Sequence, residues 1–96
     1  MSSSKPIALE AHLELDKLSG LAKEILEPLQ QGEPLLLDGS GVQSIDGAAI
    51  QMLLAAVRAA NQKNLPCNWH QPSAALKAAA ALLGVTDELL LEATET

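Results

Sequence analysis

The sequence predicts an α/β fold, a single domain with a mixed sheet of four to five strands and three to four helices packed mainly on one face. Apolar residues alternate from Ile7 to Leu15, which is the period-two pattern of a half-buried strand. A continuous apolar run at 34–37 is typical of a strand buried on both faces. Each of these strands is followed by a segment whose apolar residues recur at helical spacing. This alternation of strands and helices indicates parallel strands joined by right-handed crossovers.

The first strand and the first helix come from the amino-terminal third of the chain. The pattern at 7–15 leaves open one long strand or a bent or hairpinned pair, because neither Gly nor Pro marks a turn there. Asp16 is placed to cap the following helix, and Pro28 predicts that this helix is kinked or ends near Glu27. Its apolar face recurs at helical spacing: Leu18, Leu21, Ala22, Ile25 and Leu29.

Two more helices and another strand are predicted in the second half of the chain. A helix begins near Gly47, and Pro66 opens a strand that runs to His70. Ser73 is a favourable N-cap for a third helix, which is expected to end at Gly84. The expected buried residues of the second helix are Ile50, Leu53, Leu54 and Val57, and those of the third are Leu76, Ala80 and Leu83.

Composition excludes several classes of function. The 96 residues carry a net charge of −6 and one aromatic side chain, Trp69, whereas nucleic-acid binding needs basic and stacking residues. Cys67 is the only cysteine, so neither an internal disulfide nor a cysteine-based metal framework is expected. Neither a secretory signal nor a membrane span is visible. We therefore expect a cytoplasmic single domain over 1–96, with a flexible tail at 1–5 and no cofactor, metal or nucleic acid.

The junction between the 34–37 strand and the second helix is the most informative part of the chain. Residues 35–54 read LLLDGSGVQSIDGAAIQMLL. The first N–H groups of a helix are unpaired and lie at its positive end, and function gathers at the carboxyl ends of parallel strands. Because no catalytic set accompanies this junction, it predicts a docking surface. The expected partner-binding residues are Asp38, Ser40, Gly41, Ser44, Asp46, Gly47, Ala48 and Gln51.

Two of these residues admit a chemical alternative. Asp38 and Asp46 are either a carboxylate pair for acid–base or Mg²⁺ chemistry, or a strand-end turn residue and a helix cap. We favour the turn and the cap. Free N–H groups around Gly47 also leave open a nucleotide site, and Ser44 lacks the sequence context of a hydrolase nucleophile, with no histidine evidently placed to activate it.

Side chains outside the junction also have two interpretations. Glu10, His12 and Glu14 share a strand face and could bind a metal, but a solvated strand face accounts for them as well and is preferred. Trp69 either packs in the core or lies half-exposed at a docking site. Cys67 and His70 are expected on opposite faces of their strand, which argues against a nucleophilic pair.

The run at 35–54, together with Pro72-Ser73-x-x-Leu76 and Leu82-Leu83-Gly84-Val85, resembles the STAS domain over about residues 7–91. This small regulatory domain occurs in anti-sigma-factor antagonists, in sulfate-transporter tails and in a lipid-transport subunit. The resemblance implies a non-enzymatic protein of bacterial signal transduction that binds a kinase-type anti-sigma factor or a chemotaxis-linked protein. The alternative that it implies is a cytoplasmic accessory subunit of a lipid or anion transporter ATPase complex.

Position 47 departs from the phosphoswitch members of that family. In those relatives the residue after the second Asp is a Ser or Thr that a partner kinase phosphorylates. Here this residue is Gly47, which has no hydroxyl, so the resemblance implies no phosphorylation at the family position. The nearest hydroxyls are those of Ser44 and Ser40, and each stays open as a displaced site.

Overall fold

The computed structural model describes residues 6–89 and residue 91, which form an α/β fold. The strands are β1 (Ile7–Ala8), β2 (His12–Leu13), β3 (Leu35–Asp38), β4 (Ser44–Ile45) and β5 (Cys67–His70). The helices are α1 (Leu18–Gln30), α2 (Gly47–Gln62) and α3 (Ala74–Leu82), and a 3-10 helix over Leu15–Lys17 precedes α1. The predicted fold class is confirmed. The tail expected at 1–5 lies outside the described residues.

The five strands form two small sheets, and every strand pair in the described part of the chain is parallel. β3 lies between β1 and β5, while β2 pairs with β4. Backbone hydrogen bonds continue from one sheet to the other: Leu9 N–H donates to Asp38 O at 3.0 Å, and the N–H groups of Gln43 and Ser44 share Ala11 O. The apolar alternation at the start of the chain therefore belongs to a bent pair of strands, β1 and β2, and not to a hairpin.

Helix α1 differs from its prediction at both ends. Asp16 lies in the 3-10 helix, and Lys17 occupies the N-cap position of α1 without a side-chain hydrogen bond, so Asp16 is not the cap. Pro28 lies inside α1. A proline in the last turn removes its own N–H from the ladder and crowds one carbonyl of the preceding turn, but Gln31 N–H still bonds to Glu27 O at 3.2 Å. The helix therefore passes through the proline.

The core lies where α1 packs against α2 and the central strand β3, and where α2 packs against β5. Leu35 and Leu37 of β3 are fully buried, but Leu36 between them is only half-buried. The prediction that this strand is buried on both faces is therefore wrong, because its second face is only partly covered. The buried face predicted for α2 is confirmed, and three alanines extend it: Ala49, Ala56 and Ala60.

Helix α3 packs against β4, and the end of the described chain meets β5, which completes the core. Leu76 and Ala80 are buried as predicted, whereas Leu83 is 50% exposed because it is already the C-cap of α3. Trp69 is fully buried, and its indole N–H donates a 2.7 Å hydrogen bond to the carbonyl oxygen of Leu89. The half-exposed alternative for Trp69 is therefore wrong. None of the described helices has the length and hydropathy needed to cross a membrane.

Candidate functional site

The amino end of α2 is built by Asp46 and Gly47. Asp46 has extended backbone at the N-cap position, and its Oδ1 accepts a hydrogen bond from Ala49 N–H at 2.9 Å. Its carbonyl accepts the N–H of Ile50 at 3.1 Å and so starts the helical ladder. A carboxylate at this position satisfies one of the free N–H groups and meets the positive end of the helix dipole. Asp46 is therefore the helix cap that the sequence predicted.

Asp38 plays the equivalent part at the end of β3. Its Oδ1 accepts a hydrogen bond from Ser40 N–H at 3.0 Å. Hydrogen bonds from the backbone and the hydroxyl of Ser40, with a smaller contribution from the charge of His70, lower the pKa of Asp38. Each of the two carboxylates thus bonds to a backbone N–H of its own turn. This arrangement supports the turn and cap interpretation over a catalytic carboxylate pair.

Gly39 joins this turn to the turn that follows β5. Its N–H donates to His70 O at 3.2 Å, and its carbonyl accepts the N–H of Ser73 at 3.0 Å. A Cβ at Gly39 would lie 2.8 Å from Leu76 Cδ2 and 3.3 Å from Pro72 Cα. Only glycine lets the two turns approach this closely, so the two turns form one unit anchored on the core.

The residues predicted to bind a partner lie along one continuous stretch, from the end of β3 through β4 to the first turns of α2. Asp38 and Asp46 are half-buried. The others are exposed: Ser40, Gly41, Ser44, Gly47, Ala48 and Gln51. We call these eight residues the docking surface. Their part in binding stays a prediction.

One polar contact at this surface was not evident in the sequence. His12 Nδ1 lies 2.8 Å from Ser44 Oγ across the parallel pair of β2 and β4. Contrary to the expectation that no histidine is placed to activate Ser44, His12 therefore lies within hydrogen-bond distance of its hydroxyl. The register that aligns these two residues joins positions 32 apart in the chain, and no local pattern encodes it. The pair is exposed.

The other chemical alternatives have simpler structural accounts. Glu10 forms a salt bridge with Lys17, in which Glu10 Oε1 lies 3.3 Å from Lys17 Nζ, and both side chains are exposed. No group of three potential metal ligands occurs within residues 6–89 and 91. Burial raises the pKa of Cys67 to about 11, so this thiol is protonated at neutral pH and is a poor nucleophile.

One of the comparisons with known proteins found a match. The family model described as "Mlab, STAS domain" matches residues 2–92 of the 96 residues. STAS domains are regulatory, generally non-enzymatic domains that mediate protein–protein interactions. Comparisons with the curated proteins and with the solved structures found no match. Because the family model spans nearly the whole length, this chain belongs to the STAS domain family.

Proposed function

We propose that this chain is a non-enzymatic, cytoplasmic regulator of bacterial signal transduction that binds a partner protein through the docking surface. The observation that carries the proposal is the open start of α2. Apart from its chain neighbours and the nearby backbone of α2 itself, no heavy atom lies within 4 Å of the place where a Cβ of Gly47 would stand. A partner can therefore approach the backbone of this helix end closely.

Recognition at this surface rests on shape and hydrogen bonding. The carboxylate of Asp46 accepts a hydrogen bond from Ala49 N–H. Gly47 and Ala48 lie in the first turn of the helix, where N–H groups have no carbonyl partner within the helix. Ser40 and Ser44 are exposed and precede this helix start in the chain, and their hydroxyls already contact Asp38 and His12. Partner carbonyl or carboxylate oxygens would complement the free N–H groups of the helix. The net charge of −6 would mainly speed the encounter with a basic partner.

The proposed partner is a kinase-type anti-sigma factor or a chemotaxis-linked protein. Gly47 offers no hydroxyl to such a kinase, so binding is proposed to proceed without phosphorylation of this chain. After incubation with the cognate kinase and ATP, the intact mass should be unchanged. A gain of one phosphate located on Ser44 or Ser40 would contradict this part of the proposal.

The binding test uses two matched glycine variants. Gly47→Glu adds a bulky charge at the docking surface, and Gly20→Glu adds the same side chain in α1, where nothing lies within 4 Å of a Cβ either. Both variants should keep the circular dichroism spectrum of the parent chain. Only Gly47→Glu should lose the partner that affinity capture from the native host identifies by mass spectrometry.

The outcomes of that test separate the alternatives. Unaltered partner affinity in Gly47→Glu would place the interface elsewhere on the molecule. Capture of an ATP-binding cassette subunit by the parent chain would favour the alternative of an accessory subunit in a lipid or anion transporter complex. Catalytic turnover that disappears in a folded Asp46→Ala variant would contradict the non-enzymatic proposal.

A further inference from the structure

A groove opens beside β1, at the end of the sheet opposite the docking surface. It has a volume of about 510 Å³ and lies between β1, the last turns of α1 and the segment that leads into β3. A smaller groove of about 160 Å³ shares Ala8 and Glu24 with it, so the cleft between β1 and α1 is elongated. We call the larger groove the edge groove, and its lining includes Ala8, Glu24, Glu27, Pro28, Glu33 and Leu36.

β1 is an edge strand with backbone groups that point away from the sheet. In the described part of the chain it pairs with β3 alone. Leu9 N–H donates to Asp38 O at 3.0 Å. Successive residues of a strand direct their backbone groups to opposite edges, so the N–H and C=O of Ala8 point away from β3. Ala8 is exposed, and an edge with unpaired N–H and C=O groups is a template for a further strand.

The charged residues that line the edge groove are all glutamates: Glu24 and Glu27 from α1, and Glu33 before β3. None of them forms a salt bridge with another described residue. Over the same residues, no three potential metal ligands are gathered around one point. The groove therefore suits several separate cations better than one metal ion. Lysine or arginine side chains along an extended segment supply cations with such a spacing.

The edge groove also offers apolar surface. Leu36 lines it and is only half-buried, because the second face of β3 is partly uncovered. Pro28 and Pro34 line the groove as well. A strand that lies in the groove can place an apolar side chain against this surface and remove it from water, which stabilises the bound state.

We propose that the edge groove binds an extended partner segment that carries lysine or arginine, and that this segment adds as a strand to the outer edge of β1. In strand addition, main-chain hydrogen bonds give affinity and side-chain contacts give specificity. Here Ala8 supplies the main-chain groups, and the glutamates select cationic side chains. A second copy of this chain is a poor occupant, because pairing at β1 would bring like charges together. The edge groove is separate from the docking surface, so its occupancy does not depend on the proposed function.

The first experiment measures the binding of a short fluorescent peptide of alternating lysine and valine by anisotropy. Glu24→Gln, Glu27→Gln and Glu33→Gln together should weaken binding about fivefold or more. The matched control removes the same charge from exposed positions outside the groove: Glu14→Gln, Asp16→Asn and Asp87→Asn. It should weaken binding less than about twofold, because distant exposed charges are screened. Equal losses would show that net charge alone attracts the peptide and would overturn the proposal.

The second experiment tests the backbone pairing. Ala8→Pro removes the outward N–H and leaves the bonds to β3, since an edge strand tolerates proline where this group faces solvent. It should weaken peptide binding about fivefold or more, whereas Ala8→Ser should bind as the parent chain does. A peptide methylated at its backbone nitrogens cannot donate to Ala8 C=O and tests the pairing without altering the fold. Undiminished binding of this peptide, or of the parent peptide by folded Ala8→Pro, would overturn strand addition.

The third experiment crosslinks the full chain in its host from a photoreactive amino acid at position 31, where Gln31 lines the edge groove. The crosslinked fragment should contain lysine or arginine, and the triple glutamate variant should lose it. No crosslink, a crosslink to a second copy of this chain, or a fragment without basic residues would each overturn the proposal. The same probe at Gln51 reports on the docking surface. Failure there alone would count against the proposed function and not against the edge groove.

Discussion

Gly39 shows how one residue couples the exposed surface to the core. Its backbone passes against the buried side chains of Leu76 and Trp69, and its N–H and C=O both bond to the turn after β5. The position of Ser40 is therefore set by core packing. A substitution at this buried glycine should therefore change both the stability of the fold and the geometry of the docking surface.

Gly39→Ala should lower the free energy of unfolding by about 1–3 kcal/mol, the range for overpacking a core. The added methyl would lie 2.8 Å from Leu76 Cδ2, and Leu76 is fully buried, so the leucine has little room to yield. Urea denaturation measures the change. Gly20→Ala is the control, since nothing lies near that Cβ and helix propensity should stabilise it by up to about 1 kcal/mol. Equal stability of Gly39→Ala and the parent would contradict the packing argument.

Cys67 is expected to resist alkylation. Burial raises its pKa from 9.0 to about 11, so at pH 8 its thiolate population should be about a hundredfold below that of an unperturbed thiol. Iodoacetamide labelling followed by mass spectrometry should be at least that much slower for the folded chain than for the chain in urea. Equal rates in both states would show that the thiol is accessible.

The same shift predicts how stability depends on alkaline pH. Because the folded pKa of Cys67 lies above its unfolded value, the stability it contributes is present below pH 9.0 and is lost as pH rises toward about 11. Cys67→Ala should flatten the part of the stability profile between these two values. An unchanged slope in this variant would assign the alkaline loss to other groups.

At the scale of elements, helix caps decide where α2 and α3 begin. Asp46 Oδ1 accepts from Ala49 N–H, and Ser73 Oγ accepts from Leu76 N–H at 3.1 Å. Both caps were predicted correctly from the sequence, because a cap depends on residues within three positions of one another.

Removing either cap should cost about 1 kcal/mol in the free energy of unfolding. Ser73→Ala and Asp46→Ala both delete the accepting oxygen. Asp46→Asn keeps an accepting oxygen and removes only the charge, so it should lose a few tenths of that amount. Thermal or urea unfolding of the three variants measures the series. If Asp46→Asn and Asp46→Ala were equally destabilised, the charge of Asp46 and not its hydrogen bond would be the stabilising feature.

The elements that the sequence misplaced were those where tertiary structure overrides a local signal. Asp16 is a good cap by residue type, yet a 3-10 turn intervenes before α1. Pro28 is a helix breaker by type, yet α1 continues beyond it. Leu83 fits the apolar spacing of α3, but the helix has ended before its side chain can turn inward.

The candidate site likewise contains residues that the sequence could group and contacts that it could not reveal. Residues from Asp38 to Gln51 are contiguous in the chain, so the sequence could group them without knowing the fold. The contacts that His12, His70 and Ser73 bring to this region depend on strand register and on hydrogen bonds between distant turns. Such pairings arise from the packed sheet, and one sequence alone does not reveal them.

At the scale of the whole molecule, the parallel strands place their carboxyl ends at one end of the molecule and their amino ends at the other. The carboxyl ends of β3 and β5 carry the docking surface and the turn that follows β5. The edge groove near the amino end of β3 is lined by three carboxylate residues, Glu24, Glu27 and Glu33. Under the proposed function, a basic partner would be attracted to the molecule as a whole, and hydrogen bonding and shape would select the contact.

Trp69 holds the last described segment against this sheet, and its replacement tests how far that support reaches. Trp69→Phe keeps an aromatic ring but removes the N–H that donates to Leu89 O at 2.7 Å, leaving a buried carbonyl without this partner. The cost should be at least about 2 kcal/mol, from the unsatisfied acceptor and the smaller ring. Amide hydrogen exchange at 85–89 should accelerate more than exchange in α2.

Leu82→Ser is the matched control, because this α3 side chain is 87% exposed and its loss should change stability by less than about 0.5 kcal/mol. If Trp69→Phe left exchange at 85–89 as slow as in the parent, the hydrogen bond to Leu89 would not be what holds this segment. Faster exchange confined to 85–89 would show that the segment is a locally unfolding unit. Faster exchange that also reached the turn around Gly39 would show that the indole supports the docking surface from within the core.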